Sequence, residues 1–117
     1  KEFCKDTNFI KSTSYGLKAH FSEIHQVYKT LENHILALGY YWFSMDKYAE
    51  AVSVLKLNIL LYPNSVNNYF NVGYALRKMH WYEDALYYYK KGAGMNPDDE
   101  ELQKELKKVE NILQAMR

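Results

Sequence analysis

ENHILALGYYWFSMDKYAEAVSVLKLNILLYP, residues 32–63, and VNNYFNVGYALRKMHWYEDALYYYKKGAGMNP, residues 66–97, are one pattern written twice. Shifted by 34 residues, Gly39 falls on Gly73, Tyr48 on Tyr82, Ala51 on Ala85 and Pro63 on Pro97. Apolar positions follow the same shift: Ile35 with Tyr69, Leu38 with Val72, Trp42 with Leu76, Leu55 with Tyr89. Self-similarity at a fixed period of this length marks a stack of helical units, each too small to bury its own apolar face.

Within each copy the spacing predicts two helices. The first copy gives 33–45 and 47–61, the second 65–78 and 82–93. Gly39 and Gly73 then lie inside helices, where glycine costs about 1 kcal/mol relative to alanine. The return is a close approach of the second helix, whose Ala51 or Ala85 is equally small. Pro63 and Pro97 end the second helices, because proline lacks the N–H and disfavours helix in the residue before it. Asn64 and Asp98 follow and can cap the next helix, and Asp98 with Glu101 has capping-box spacing.

Outward from the repeats, Leu17, Phe21, Ile24, Tyr28 and Leu31 form one amphipathic face, which predicts a helix over 15–31. Ser12 or Ser14 would cap it. No Gly or Pro lies between Gly16 and Gly39, yet packing repeats needs a turn, expected at 29–32. Residues 1–14 lack a helical period and read as an extended lead-in. At the other end Leu102, Leu106, Val109, Leu113 and Met116 share a face opposite Gln103, Lys104, Lys107, Lys108 and Glu110. Such a helix seals a repeat array, with its polar side in water. The expected architecture is all-α: two repeats (32–65 and 66–97), an N-terminal flanking helix and a C-terminal capping helix over 98–117, six helices in all.

Composition narrows function mostly by exclusion. A net charge of +1 leaves no basic stripe to neutralise phosphates, so nucleic acid is not an expected partner. No apolar run approaches the length of a membrane span. Cys4, the single cysteine, has no internal disulfide partner. His20 and His25 are five apart, which does not put both on one helical face as a zinc pair would be, so no metal site is expected. No phosphate loop, nucleophile elbow or H-E-x-x-H helix occurs, so neither a cofactor nor a catalytic role is expected. The acids of 98–101 suit the first turn of a helix, where they offset its dipole. Gly92 and Gly94 suit a helix end. In the run Tyr87-Tyr88-Tyr89 successive side chains point in different directions, which makes Tyr89 core and the other two surface.

The period and its punctuation resemble the tetratricopeptide family, W-x-x-L-G-x-x-Y, then A-x-x-x-F, then P. Here the motif reads Ile35-x-x-Leu38-Gly39-x-x-Trp42, Ala51-x-x-x-Leu55, Pro63, and again Tyr69-x-x-Val72-Gly73-x-x-Leu76, Ala85-x-x-x-Tyr89, Pro97. The resemblance implies a helical solenoid whose first helices line a groove for an extended peptide or a helix. Carried over, that face is Asn33, Leu36, Tyr40 and Phe43, then Phe70, Asn71, Tyr74, Arg77 and Lys78, then Glu101, Lys104 and Glu105. The expected binding set is Leu36, Tyr40, Phe43, Phe70, Asn71, Tyr74, Arg77 and Lys78. Burial of a partner's apolar side chains is expected of the aromatic residues, and pairing with a partner's acids of Arg77 and Lys78. The alternative is a face filled by the chain's own segment before Asn33.

Some co-chaperones of this family clamp a C-terminal carboxylate with Lys, Asn, Asn, Lys and Arg. The matching places here hold Leu36, Tyr40, Asn71, Glu101 and Glu105, so only Asn71 agrees and two acids would repel a carboxylate. Asn58 stands where the family favours alanine and is expected to be a buried amide satisfied locally. The stretch 54–66 is also similar to the repeat tail of some bacterial esterase-like and penicillin-binding-type serine hydrolases, which implies a second role as a non-catalytic tail that orients or oligomerises an upstream enzyme. The main expectation is a protein-interaction module with a protein or peptide partner, or an upstream domain of its own chain. A homodimer is left open.

Overall fold

The computed structural model describes the backbone of residues 7–117 and the side chains of residues 22–117. Five helices follow one another: α1 (Thr7–Ser44), α2 (Tyr48–Leu61), α3 (Val66–Lys78), α4 (Tyr82–Met95) and α5 (Glu100–Ala115). The chain divides into two units, Lys1–Asn33 and His34–Arg117.

The repeat helices and the terminal helix fall where the period places them. The region before them does not. The turn expected at 29–32 is absent, and helix also occupies 7–14, where an extended lead-in was expected. One 38-residue helix therefore replaces two elements, and Ser12 and Ser14 are not at its start. The physical reason is the missing breaker: once nucleated, a helix propagates until a residue stops it, and nothing between Gly16 and Gly39 does. In the first unit Ile24, Val27 and Leu31 are exposed. Leu17, Phe21 and Cys4 lie outside the described side chains.

In His34–Arg117, α2 packs on α3, α3 on α4 and α4 on α5. The core runs through Leu55, Val72, Ala75, Leu76, Ala85, Tyr89, Leu102 and Val109. The two repeat glycines do what their spacing suggests. A Cβ at Gly39 would lie 2.8 Å from Leu55 Cδ2, and one at Gly73 would lie 2.6 Å from Tyr89 Cε1. Gly92 differs from expectation: it is inside α4 rather than ending it, and a Cβ there would lie 3.0 Å from Leu102 Cδ2. Its bareness admits α5. Gly94 faces open space, and a Cβ added there would meet nothing within 4 Å. Gly94→Ala is therefore expected to stabilise the protein by about 0.5–1 kcal/mol, because only helix propensity changes. A rise of a few degrees in melting temperature checks it, and a fall would show that Gly94 has a packing role.

The turns repeat as faithfully as the helices. Asp46 (φ 56°) and His80 (φ 65°) occupy the left-handed region at matching positions. Each closes its helix with paired bonds: Asp46 N to Phe43 O and Lys47 N to Trp42 O, then His80 N to Arg77 O and Trp81 N to Leu76 O. This is the Schellman arrangement, with Asp and His taking the place usually held by glycine. Each also engages the tyrosine two residues on, Tyr48 OH donating to Asp46 Oδ1 (3.0 Å) and Tyr82 OH lying 2.7 Å from His80 Nδ1. The Asp46 carboxylate, by accepting that bond, raises the Tyr48 phenol above its ordinary value.

Helix starts need two corrections. Ser65, not Asn64, precedes α3, and Asp99, not Asp98, caps α5 by accepting from Leu102 N (3.1 Å). In both cases the post-proline turn takes one more residue than the spacing suggests, closed by Ser65 N to Tyr62 O and Asp99 N to Asn96 O. Asn58 is buried as expected, but its partner is in the next helix: Nδ2 donates to Asn68 Oδ1 at 2.9 Å. This polar contact pins α2 to α3 inside the apolar core, where an unmatched amide would cost about 1–3 kcal/mol.

Candidate functional site

The residues expected to bind come from the end of α1, from α3 and from the start of α5. On α1, Leu36, Tyr40 and Phe43 are spaced four and three apart, so they share a face. Phe70, Asn71, Tyr74, Arg77 and Lys78 do the same on α3. The α2 and α4 helices behind them supply the packing that holds these faces still.

Tyr40, Asn67, Phe70, Asn71, Asp99 and Glu101 enclose a recess of about 220 Å³. Asn71 is largely buried there, and its Nδ2 donates to the Tyr40 hydroxyl at 3.3 Å. The amide and the half-exposed phenol thus join α3 to α1 across the recess. Beside it runs an aromatic row. Phe43 lies 6.1 Å from Tyr40 and 5.7 Å, edge to face, from Tyr74. Tyr74 in turn carries two cations on its ring, the Arg77 guanidinium at 5.2 Å and the Lys78 ammonium at 5.5 Å. Such pairs hold ring orientations and are worth about 0.5–1 kcal/mol each. A second, larger hollow of about 540 Å³ lies over Pro97, Asp98, Glu100, Gln103, Lys104 and Lys107. Its lining has no aromatic side chain to bury an apolar group, so the smaller recess is the better site.

Below the row lies a polar cluster. Arg77 Nε is 3.3 Å from Glu105 Oε2, and Lys108 Nζ is 3.1 Å from Glu105 Oε1. Glu105 is only 12% exposed, so this pairing is shielded from solvent and holds α3 to α5. Tyr89 reaches the same cluster from α4. Burial pushes its phenol up to about 12, with the neighbouring Arg77 guanidinium acting against the rise and the Glu105 carboxylate adding to it. The hydroxyl itself has no hydrogen-bond partner among the described residues.

The expected residues therefore separate. Tyr40, Phe70 and Asn71 line the recess, and Phe43 and Tyr74 extend it. Leu36 and Phe43 are half-buried and pack against the core. Arg77 is engaged by Glu105, which leaves Lys78 as the exposed cation of that pair. Asn67 and Asp99 were not among the expected residues. Asn67 was accessible to the same reasoning, since it is the 34-residue counterpart of Asn33. Asp99 gave no signal beyond that of a helix cap. Among the described residues no group of His, Cys, Asp and Glu could hold a metal ion, and no helix is long and apolar enough to cross a membrane.

Comparison with known proteins bears on the fold. No family model matches the chain, and no curated protein matches it in sequence. Solved structures do match. The first tetratricopeptide-repeat (TPR) domain of Spaghetti (RPAP3), bound to the HSP90 peptide SRMEEVD, is similar with a TM-score of 0.67 and 21% identity, covering 89% of this chain and 88% of that one. The NMR structure of the first TPR domain of human RPAP3 is similar with a TM-score of 0.66 and 20% identity, covering 90% and 88%. The chain thus has the all-helical TPR fold. The alternative of a hydrolase tail gains no support from these similarities.

Proposed function

We propose that the chain is a non-catalytic protein-interaction module that holds a peptide or helix against Tyr40, Phe70, Asn71 and Tyr74. The observation that carries this reading is the recess beside the aromatic row: half-exposed rings next to a buried amide suit an apolar side chain and an adjacent backbone group. The structural neighbour bound to an HSP90 peptide supports use of a TPR fold in this manner.

The peptide chemistry differs from that neighbour's. SRMEEVD has three acidic residues, and the places where a carboxylate clamp would stand hold Leu36, Tyr40, Glu101 and Glu105 beside Asn71. Arg77, the nearby cation, is already paired with Glu105. SRMEEVD is accordingly expected to bind weakly or not at all.

The test uses heptapeptides selected from a displayed random library on the intact chain, with affinity read by fluorescence anisotropy. Tyr40→Ala combined with Tyr74→Ala is expected to weaken the selected peptide at least tenfold, since truncating interface aromatics at hot spots costs ~2 kcal/mol or more. Far-UV circular dichroism should be unchanged. A peptide that binds the double variant as well as the parent would place its site elsewhere.

A further inference from the structure

The 34-residue period gives each position of the first repeat a counterpart in the second, and on one side the counterparts disagree. In α3, Val72 and Ala75 are completely buried, and Met79 packs against the core. The matching Leu38, Tyr41 and Met45 are 45%, 54% and 48% exposed. In α3 this side belongs to the stack, with α2 packed on the helix. Within His34–Arg117 the same side of the first repeat is bare. The second helices show no such one-sided difference: Leu57 and Leu60 are exposed on the first, Tyr87 and Met95 on the second. The uncovered apolar surface that distinguishes the first repeat is thus the α1 face.

The face of α1 also indicates what covers it. His34, Ala37, Leu38, Tyr41 and Met45 follow one another at helical spacing and include no Asp, Glu, Lys or Arg. Head-to-tail stacking of copies would set this face on α5, whose Gln103, Lys104, Lys107 and Glu110 are exposed. Burying those charges against an apolar surface is costly. An uncharged apolar face matches another of its kind, which is the requirement of a two-fold interface. We propose that the chain forms an isologous homodimer in which Leu38, Tyr41 and Met45 of one protomer pack against the same face of its partner.

The area sets the strength. The three half-exposed side chains offer roughly 250 Å² per copy, about a third of what a standard interface takes from each partner. The dimer is therefore weak, with a dissociation constant in the micromolar range.

Sedimentation equilibrium on the intact chain across that range tests this. The apparent mass is expected to rise with concentration from 13.9 kDa towards twice that value. Leu38→Lys with Tyr41→Lys should hold it at the monomer mass, with helicity and melting temperature retained, because both sites are exposed. Lys107→Ala on α5 should leave dimerisation intact. If the double variant does not fold, Tyr41→Ser is read in its place. A chain that stays monomeric throughout overturns the proposal. So does a dimer that survives the α1 substitutions, or one abolished by the change on α5.

Discussion

Gly73→Ala is expected to destabilise the protein by about 2–3 kcal/mol, the upper range for forcing a methyl group into a packed core. The added Cβ would lie 2.6 Å from Tyr89 Cε1 and 2.7 Å from Cδ1. Neither group can retreat. The Tyr89 ring is rigid and fully buried, with the Phe70 ring centroid 5.9 Å away. Relief must come from moving α4 away from α3, which loosens the best-packed interface of the repeats. Alanine's better helix propensity, about 1 kcal/mol, offsets only part of this. Gly39→Ala is the control. Its Cβ would meet Leu55 Cδ2 at 2.8 Å, but that atom ends a side chain with rotatable bonds, so the net cost should stay near or below about 1 kcal/mol. Urea unfolding of both variants measures the difference. Equal effects would mean that the aromatic ring is not the obstacle. Placing Tyr89→Leu in the Gly73→Ala background sets alanine against a flexible leucine, as in the Gly39→Ala control, and is expected to recover part of the loss.

The same two glycines show why the fold is legible in the sequence. Gly39 and Gly73, with Ala51 and Ala85, mark where helices approach, and Pro63 and Pro97 mark where they stop. Such constraints are local and recur with the period, so they survive without knowledge of tertiary contacts. What lies outside the period is easily misread. No Gly or Pro in residues 17–33 punctuates the chain, and the expected turn rested on the needs of packing rather than on a residue. The left-handed caps at Asp46 and His80 are hidden because neither is glycine, although their 34-residue correspondence is there to find. At the site, the repeat indicates which helical face to consider but not how its charges are used. The pairing of Arg77 with Glu105 joins residues 28 positions apart in sequence, and no spacing rule connects them. The period matches Tyr40 with Tyr74 and Leu36 with Phe70, which is enough to put all four on one kind of face. Whether a cation there is free or engaged depends on the third dimension.

Tyr89 carries the other large effect, because it serves both the core and the polar cluster. Tyr89→Ala removes the largest fully buried side chain and is expected to cost about 4 kcal/mol, the middle of the range for truncating a core aromatic. Against a total stability of about 5–15 kcal/mol for a domain, much of the folded margin would go. Tyr89→Phe separates ring from hydroxyl. At neutral pH it should cost little, because the buried Tyr89 hydroxyl has no hydrogen-bond partner among the described residues to lose. The alkaline limb distinguishes the two roles. The folded phenol titrates at about 12 against an ordinary value of 10.0, so burial favours its neutral form. Stability from this group is therefore complete below pH 10, where the phenol is neutral folded or unfolded. It declines as pH rises through 10 to 12, because the unfolded chain releases the proton first. The full decline is about 3 kcal/mol for this one residue. Lysines discharge over the same interval, so the informative quantity is the difference between the parent and Tyr89→Phe in urea midpoints from pH 8 to 11.5. The parent should lose stability faster, so the two curves should start close together and separate as the pH rises. Parallel curves would show that the hydroxyl is hydrated in the folded protein. The junction of Arg77, Glu105 and Tyr89 would then be open to water, and the recess above it would rest on a softer floor than its packing implies.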